Sequence, residues 1–277
     1  MIHDVNDILH HAFAGALAAL LFGTPGKYRL YVLIGIIAAL LPDVTKILFD
    51  SVFFHSLIAA PLVSMLGAAM GKACFRKEPF LRLFGAFLAA MVLGHQLLDF
   101  LDNGSEILSP FIREELEYSL ISKGTPVVWI TALAAMAAGW IFRRIRLFTA
   151  AGMAAILLFI GFQLVSKEMA ENALMQRYPF PQATITVFPT GQWPWDEMGW
   201  SYHLRSPSFM ASGDIGAAGG NIAQSIFYFT APGEGLHYRV EEWTKNGASF
   251  VITCVDERNG QIVRFASSDG IHWQTSG

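Results

Sequence analysis

The residues of this chain best suited to chemistry are histidines and aspartates set in apolar sequence. Asp7 precedes His10 and His11, and Leu41-Pro42-Asp43 lies near the end of a second apolar run. Asp50 and His55 open a third run, and His95 and Asp99 close a fourth. Ionisable side chains within membrane-spanning sequence are costly and by default raise a functional hypothesis. Imidazole lone pairs and carboxylate oxygens suit a divalent metal, zinc first and manganese second, or a pair of metals. The ion neutralises charges that would otherwise be too costly to bury. Zinc with one open position lowers the pKa of bound water toward about 7, so hydrolysis of an ester or phosphoester is the natural reaction class. This reading makes His11, Asp43, His55, His95 and Asp99 the metal ligands. Asp50 and Asp99 are the catalytic carboxylates, with Asp50 a further ligand or a proton acceptor.

Plainer roles exist for each residue taken singly. Pro42-Asp43 can terminate a helix, and Asp50 can cap the start of one. His10 is expected among lipid headgroups, and Asp7 fills a first-turn position favoured by the helix dipole. What sets the group apart is depth. At about 1.5 Å per residue, His11, Asp43, His55 and His95 lie roughly 16 to 25 Å above the basic ends of their segments, in one half of a ~30 Å hydrocarbon core. His95 and Asp99 are also i and i+4, on one side of a helix.

The elements that must position them follow from composition. Only 15% of the 277 residues are Asp, Glu, Lys or Arg, and the mean hydropathy is +0.43. Soluble proteins hold roughly 25% charged residues, so a disordered chain is excluded and an ordinary cytosolic enzyme disfavoured. The net charge of −3 offers no basic footprint for nucleic acid. Two cysteines, Cys74 and Cys254, supply neither a disulfide framework nor a thiolate zinc site.

The apolar sequence is confined to the first part of the chain. Segments at 8–22, 30–49, 52–70, 80–101, 126–142 and 147–165 each approach the roughly 20 residues a bilayer requires. They are dominated by Ala, Gly and Leu, which suits closely packed membrane helices. The acidic start, with Asp4 and Asp7, is a poor secretory signal. Loops after the odd segments hold the basic residues Lys27, Arg29, Lys72, Arg76, Lys77, Arg82, Arg143, Arg144 and Arg146, which places them in the cytoplasm. Both chain ends then lie outside.

From about Ala170 the pattern turns to short β-branched and aromatic runs at 184–188, 226–230 and 250–255. Asn259-Gly260 is the best hairpin signal in the chain. The fold expected is an all-α polytopic membrane bundle of about six spans (1–169), followed by a small β-rich extracytoplasmic domain (170–277). With Cys254 outside and Cys74 in a cytoplasmic loop, that topology excludes an internal disulfide. Trp193, Trp195 and Trp200 suit an outer-leaflet anchor or lid, and more readily the domain's own aromatic core. Gly213, Gly216, Gly219 and Gly220 are expected in a flexible loop with no phosphate-binding pattern. His203, His237 and His272 lack ligand spacing and are given no role.

The ordered set of polar positions resembles the YdjM-like family of membrane-bound, predicted metal-dependent hydrolases. The resemblance rests on His11-x-x-x-Gly15, Pro42-Asp43, His55-Ser56, Gly94-His95-x-x-x-Asp99 and Pro110-Phe111, over roughly residues 8–165. This chain departs from the family pattern at Thr45 and Asp102, where an acid and a threonine are common, and at Asp50, where a histidine is common. The resemblance implies a metal-dependent hydrolase with a phosphoester substrate, by analogy with zinc-dependent phospholipases C and related nucleases. The expected setting is the inner (cytoplasmic) membrane, with the bilayer as partner and a lipid-linked or phosphate-bearing substrate at the outer face. No protein partner is indicated.

Two other classes use the same residues. One is transport of a metal ion or proton through buried His and Asp groups, which needs polar groups continuing toward the cytoplasm; residues 30–41 and 84–93 offer none. The other is a non-catalytic membrane sensor or scaffold with a structural metal, whose β-rich domain binds a partner.

Overall fold

The computed structural model describes residues 2–50, 53–102, 104–191, 199–231, 238–247 and 249–276. The chain divides into two compact units, one running to Gln163 and the other formed by Leu164–Thr190 and the strands that follow.

The first unit is helical. Helix α1 (Ile2–Leu20) is followed by α2 (Tyr28–Phe49), α3 (Ala59–Cys74) and α4 (Phe80–Met91). A π-helical turn, Val92–Gln96, joins α4 to α5 (Leu97–Asp102), so that Phe80–Asp102 is one continuous helix. Helix α6 (Pro126–Ile141) starts on a proline, whose missing N–H is no loss at a helix start. Helix α7 (Ile145–Arg177) begins in this unit and continues into the second.

Among the described residues three helices are long and apolar enough to cross a membrane: Tyr28–Phe49, Phe80–Asp102 and Ile145–Arg177. The sequence reading counts about six. Helices α3 and α6 are apolar but have 16 residues each, about 24 Å of rise against a ~30 Å hydrocarbon core. Helix α1 has its acidic and histidine residues in its first turns, which shortens its apolar stretch. Large apolar side chains such as Leu33, Ile37, Ile47, Leu66, Met70 and Leu158 stay exposed on the helix surfaces. That pattern is costly in water and favourable in lipid.

What packs the bundle together is glycine. A Cβ added to Gly15 of α1 would meet the carbonyl oxygen of Gly35 at 2.7 Å, and one on Gly35 would meet the Ala16 Cα at 2.5 Å. At Gly94, in the π turn, an added Cβ would lie 2.6 Å from the Gly15 backbone nitrogen. Backbones of α1, α2 and the fourth-segment helix therefore touch directly, with Ala16, Ala38, Ala39, Ala86 and Ala90 buried around them. Small residues permit this approach, and dispersion then holds helices that lipid does not drive together.

Pro42 lies inside α2 rather than ending it. The helix continues past it, and the Thr45 hydroxyl donates to the Pro42 carbonyl at 2.8 Å. About 18 Å down α2 from Asp43, at 1.5 Å per residue, a second polar cluster ties the helix ends together. Buried Glu78 accepts from the Tyr31 and Thr24 hydroxyls at 2.8 Å each and pairs with Lys27 at 2.5 Å. Lys72 donates to the Glu78 carbonyl at 2.8 Å. The Lys27 ammonium, with the Tyr31 and Thr24 hydroxyls, holds the Glu78 carboxyl down at about 2.

The second unit is an antiparallel meander of eight strands in sequence order. They are β1 (Thr184–Pro189), β2 (Gly199–Arg205), β3 (Phe209–Gly216), β4 (Ala223–Phe229), β5 (Tyr238–Asn246), β6 (Ser249–Asp256), β7 (Gln261–Ser267) and β8 (Gln274–Thr275). Alternate residues of β3 are buried, as one covered face requires. The predicted hairpin joins β6 to β7, with Asn259-Gly260 closing a four-residue turn in which Gly260 has φ +73.

Trp200 is fully buried on β2 and donates to the Ser166 hydroxyl of α7 at 2.8 Å, so it belongs to the unit's core and not to a lipid anchor. Trp193, Trp195 and His237 lie outside the described residues. Gly213 and Gly216 are in β3, not in a loop: at Gly213 a Cβ would collide with the Ala223 carbonyl across the sheet, and only the missing side chain allows that approach. His203 sits on β2, and exposed His272 pairs with Asp269 at 2.6 Å. Cys74 and Cys254 are both free thiols.

Two outcomes follow. Gly35→Ala forces backbone apart and should cost about 1–3 kcal/mol, the range for overpacking. Gly161→Ala, with nothing within 4 Å of the added carbon, should cost nothing; thermal unfolding of detergent-purified protein compares them. Because the folded Glu78 carboxyl titrates below its ordinary 4.5, its stabilisation is complete above 4.5 and is lost as pH falls toward about 2. Unfolding midpoints followed down through that window should fall less steeply in Glu78→Gln than in wild type.

Candidate metal centre

Each donor reaches the site by a separate local device. His11 sits one helical turn before Gly15, at the level where α1 meets Gly94. Its Nδ1 donates to the Gly94 carbonyl at 3.2 Å, a bond open to it because a π turn frees backbone carbonyls from the regular ladder. With Nδ1 carrying the proton, Nε2 presents a lone pair to the site. Metal-ligating histidines characteristically anchor their second nitrogen in this way.

His55 is not on a spanning helix, as the segment boundaries 52–70 imply, but in a short 3-10 turn, Phe53–His55, ahead of α3. Gln96 holds that turn. Its amide donates to the Phe54 carbonyl at 3.1 Å and to the Ser56 carbonyl at 2.9 Å, on either side of His55. Ser56 in turn donates to the Ser109 carbonyl, and the Leu57 N–H donates to the Ile107 carbonyl at 2.9 Å. The His55-Ser56 motif is therefore tied to residues 107–109, the segment just ahead of Pro110-Phe111.

Five of the six residues singled out from the sequence meet. His11 Nε2 lies 3.2 Å from Asp99 Oδ1, and His95 Nε2 lies 3.3 Å from Asp99 Oδ2. His55 Nε2 is 3.5 Å from Asp43 Oδ1 and 3.9 Å from Asp99 Oδ2, while His95 Nε2 is 3.9 Å from Asp43 Oδ1. The rings of His11 and His95 are 4.2 Å apart at their centroids, and those of His55 and His95 5.0 Å. His11, His55 and His95 are buried, whereas the Asp43 side chain is 35% exposed.

These separations have a chemical meaning. An N–H···O bond spans 2.7–3.2 Å, so most of these contacts are too long to be one. Ligands placed 2.0–2.2 Å from a tetrahedral ion are instead about 3.4 Å from one another. His95 is completely buried, yet neither of its ring nitrogens has a hydrogen-bond partner among the described residues. A buried imidazole left without a partner is expensive unless something else takes its lone pair. The groups His11–Asp43–His95 and His55–His95–Asp99 each have ligand atoms within 4.8 Å of one another, and so fit a metal ion.

A polar cavity of about 80 Å³ opens onto this cluster. Asp7, Asp43, Lys46, His55, Asp99, Glu106, Glu115 and Lys123 are among the residues that line it.

A family model described as YdjM inner membrane protein matches residues 7–170. The chain belongs to this family. The YdjM match contains every donor named above and stops before the sheet. No curated protein and no solved structure matches the chain.

Three placements differ from the sequence reading. Asp50 is the exposed, left-handed C-cap of α2 with φ +50, its N–H bonded to the Lys46 carbonyl; it caps a helix end rather than a start and does not line the cavity. His10 is fully buried beside Asp102, at 3.9 Å, and not among headgroups, because it faces into the bundle. Asp7 is a cavity residue, 3.5 Å from His11 Nε2 and 3.3 Å from Lys123. Its i,i+4 spacing to His11 was the signal available in the sequence. Gln96 had no comparable signal, since its partners are backbone carbonyls some 40 positions away.

Gln96→Ala should release the Phe53–His55 turn, and with it His55, while leaving every candidate ligand residue unsubstituted. The expected result is a 10- to 100-fold weaker metal affinity, the usual effect of losing a residue that orients a ligand, measured by competition with a metal-chelating dye.

Proposed function

We propose that this YdjM-family protein is a multi-pass membrane hydrolase, dependent on a divalent metal of the zinc type with manganese as substitute. It would act on an ester or phosphoester, lipid-linked in particular. The observation that carries the proposal is the donor set itself. Three imidazoles and two carboxylates from α1, α2, the Phe53–His55 turn and the Phe80–Asp102 helix converge at distances that suit a coordination shell better than a set of hydrogen bonds. His11, Asp43, His55, His95 and Asp99 would hold the ion.

Such an ion, when bound, supplies Lewis-acid polarisation and a water that ionises near neutral pH. The chain's own groups do the rest. Asp43, the partly exposed donor, stands where the cavity meets the cluster and marks the direction from which a substrate approaches. Gly94 and Gln96 fix the orientation of His11 and of the turn bearing His55. Lys46 and Lys123 line the cavity and offer ammonium groups to an anionic substrate such as a phosphoester. Asp99, or Glu106 and Glu115 on the cavity wall, can accept the proton released by the attacking water. The placement of Asp50 gives it no part in this scheme.

The arrangement is one-sided, and this supports hydrolysis over transport. Below the cluster the bundle is closed by Gly15, Gly35 and buried alanines, and the buried Ser64 hydroxyl there donates to the Met91 sulfur at 3.7 Å. Basic loops at the Glu78 end favour the cytoplasm for that face. The metal site would then open toward the outer face, with the sheet unit extracytoplasmic. A sensor with a structural metal would retain the ion and lack turnover.

Asp43→Ala and His95→Ala should each lose bound metal and, with it, at least about a hundredfold of hydrolysis of generic phosphoesters, since general acid–base and metal contributions are of that size or more. Metal analysis and activity on detergent-purified protein supplied with zinc or manganese check both. Full metal content with no turnover on any ester or phosphoester would transfer the assignment to a sensor.

A further inference from the structure

The donor set described above leaves one buried group unexplained. His10 is completely buried on α1, and neither of its ring nitrogens has a hydrogen-bond partner among the described residues. Its ring stacks on that of His11, with centroids 5.4 Å apart and planes 12° from parallel. The carboxylate facing it, Asp102, is itself withdrawn from solvent, and the closest approach of the pair is 3.9 Å. A buried imidazolium–carboxylate pair would close to about 2.7–2.9 Å, because charge-assisted hydrogen bonds are short. At 3.9 Å the two groups are instead spaced as ligands of a common ion.

Asp7 completes the set: one oxygen of Asp7, one nitrogen of His10 and one oxygen of Asp102 lie within 4.8 Å of one another. Asp7 is also the link to the first cluster. Its Oδ1 lies 3.5 Å from His11 Nε2 and is buried without a hydrogen-bond partner among the described residues, while its Oδ2 faces Lys123. Charge points the same way. Asp7, Asp43, Asp99, Glu106 and Glu115 line the cavity, with Asp102 beside them, against Lys46 and Lys123. Among the described residues, one divalent cation leaves this group negative and two bring it to balance.

We infer that Asp7, His10 and Asp102 form a second divalent-cation site, joined to the first through the Asp7 carboxylate, so that the centre is binuclear. The inference rests on the metal-dependent reading of the first cluster and deepens it. Paired ions can clamp the attacking and leaving oxygens of a phosphoester in one displacement, which, with the Lys46 and Lys123 ammonium groups on the cavity wall, favours phosphoesters over neutral esters.

The test uses the full chain in detergent, stripped with chelator and reloaded with zinc alone or manganese alone. Metal per chain is read by elemental analysis, and manganese samples by electron paramagnetic resonance. Wild type should hold two ions and give an exchange-coupled manganese spectrum. His10→Ala and Asp102→Asn should each hold one ion and give the spectrum of an isolated ion. Asp102→Asn keeps the side-chain shape, so it carries the test if His10→Ala fails to fold. One ion per chain in wild type, unchanged in both variants, would overturn the second site and leave Lys123 as the counter-charge of Asp7. No retained ion in wild type would overturn the metal reading of the first cluster, and the second site with it.

Discussion

Three backbones in the helical unit touch where side chains would ordinarily intervene, and the placement of the polar cluster depends on that contact. Gly15, Gly35 and Gly94 come from different helices, and at each a single carbon would collide with the backbone of its neighbour. In water such an approach would be reinforced by burial of apolar surface. Between helices in lipid that force is absent, and close contact has to come from the shapes themselves. The same contact sets His11 within reach of the Gly94 carbonyl. Packing and tautomer are thus fixed by one structural feature, which leaves the lone pair of His11 Nε2 aimed at the carboxylate cluster.

Around this point the chain combines rigidity with irregularity. The π turn at Val92–Gln96 interrupts the regular ladder where His95 and Gln96 must face different neighbours. His95 turns to the carboxylates, while Gln96 holds the turn that carries His55. A straight α-helix would keep both on a repeating register; π turns recur at functional sites for this reason. The left-handed cap at Asp50 closes α2 just before the turn that carries His55, through the Asp50 backbone N–H and not its carboxylate. Beneath the cluster the buried side chains are mostly apolar, with Ser64 donating to the Met91 sulfur, until the Glu78 network at the far end of the bundle.

Much of this was legible in the residues. The runs 184–188 and 250–255 lie in β1 and β6, and 226–230 overlaps the end of β4, which stops at Phe229, because β-branched and aromatic composition and turn chemistry act locally. The fourth apolar segment, 80–101, is within a residue of the continuous helix Phe80–Asp102, and the i,i+4 pair His95–Asp99 meets at 3.3 Å. Span counting was less successful: hydropathy counts apolar residues without registering where a chain leaves the helix. The third segment thus absorbed the 3-10 turn bearing His55, and α3 proved shorter than a bilayer. His10 was misplaced for a related reason. Neighbouring histidines on a helix point about 100° apart, and only the packing of the bundle around α1 decides that both are covered.

The sequence by itself determined the kinds of atom available, a few imidazoles and carboxylates in apolar surroundings, and the division into a helical part and a sheet. It also determined the family, since ordered short motifs survive in a linear string. Only the tertiary structure decided which of those atoms share a site. Asp7 and Gln96 entered it and Asp50 left it through contacts between residues far apart in the chain, or through a helix end whose direction no local pattern encodes. Distances of 3.2 to 3.9 Å between donors are a property of three helices meeting at glycine, and spacing along one helix cannot specify how closely another will approach.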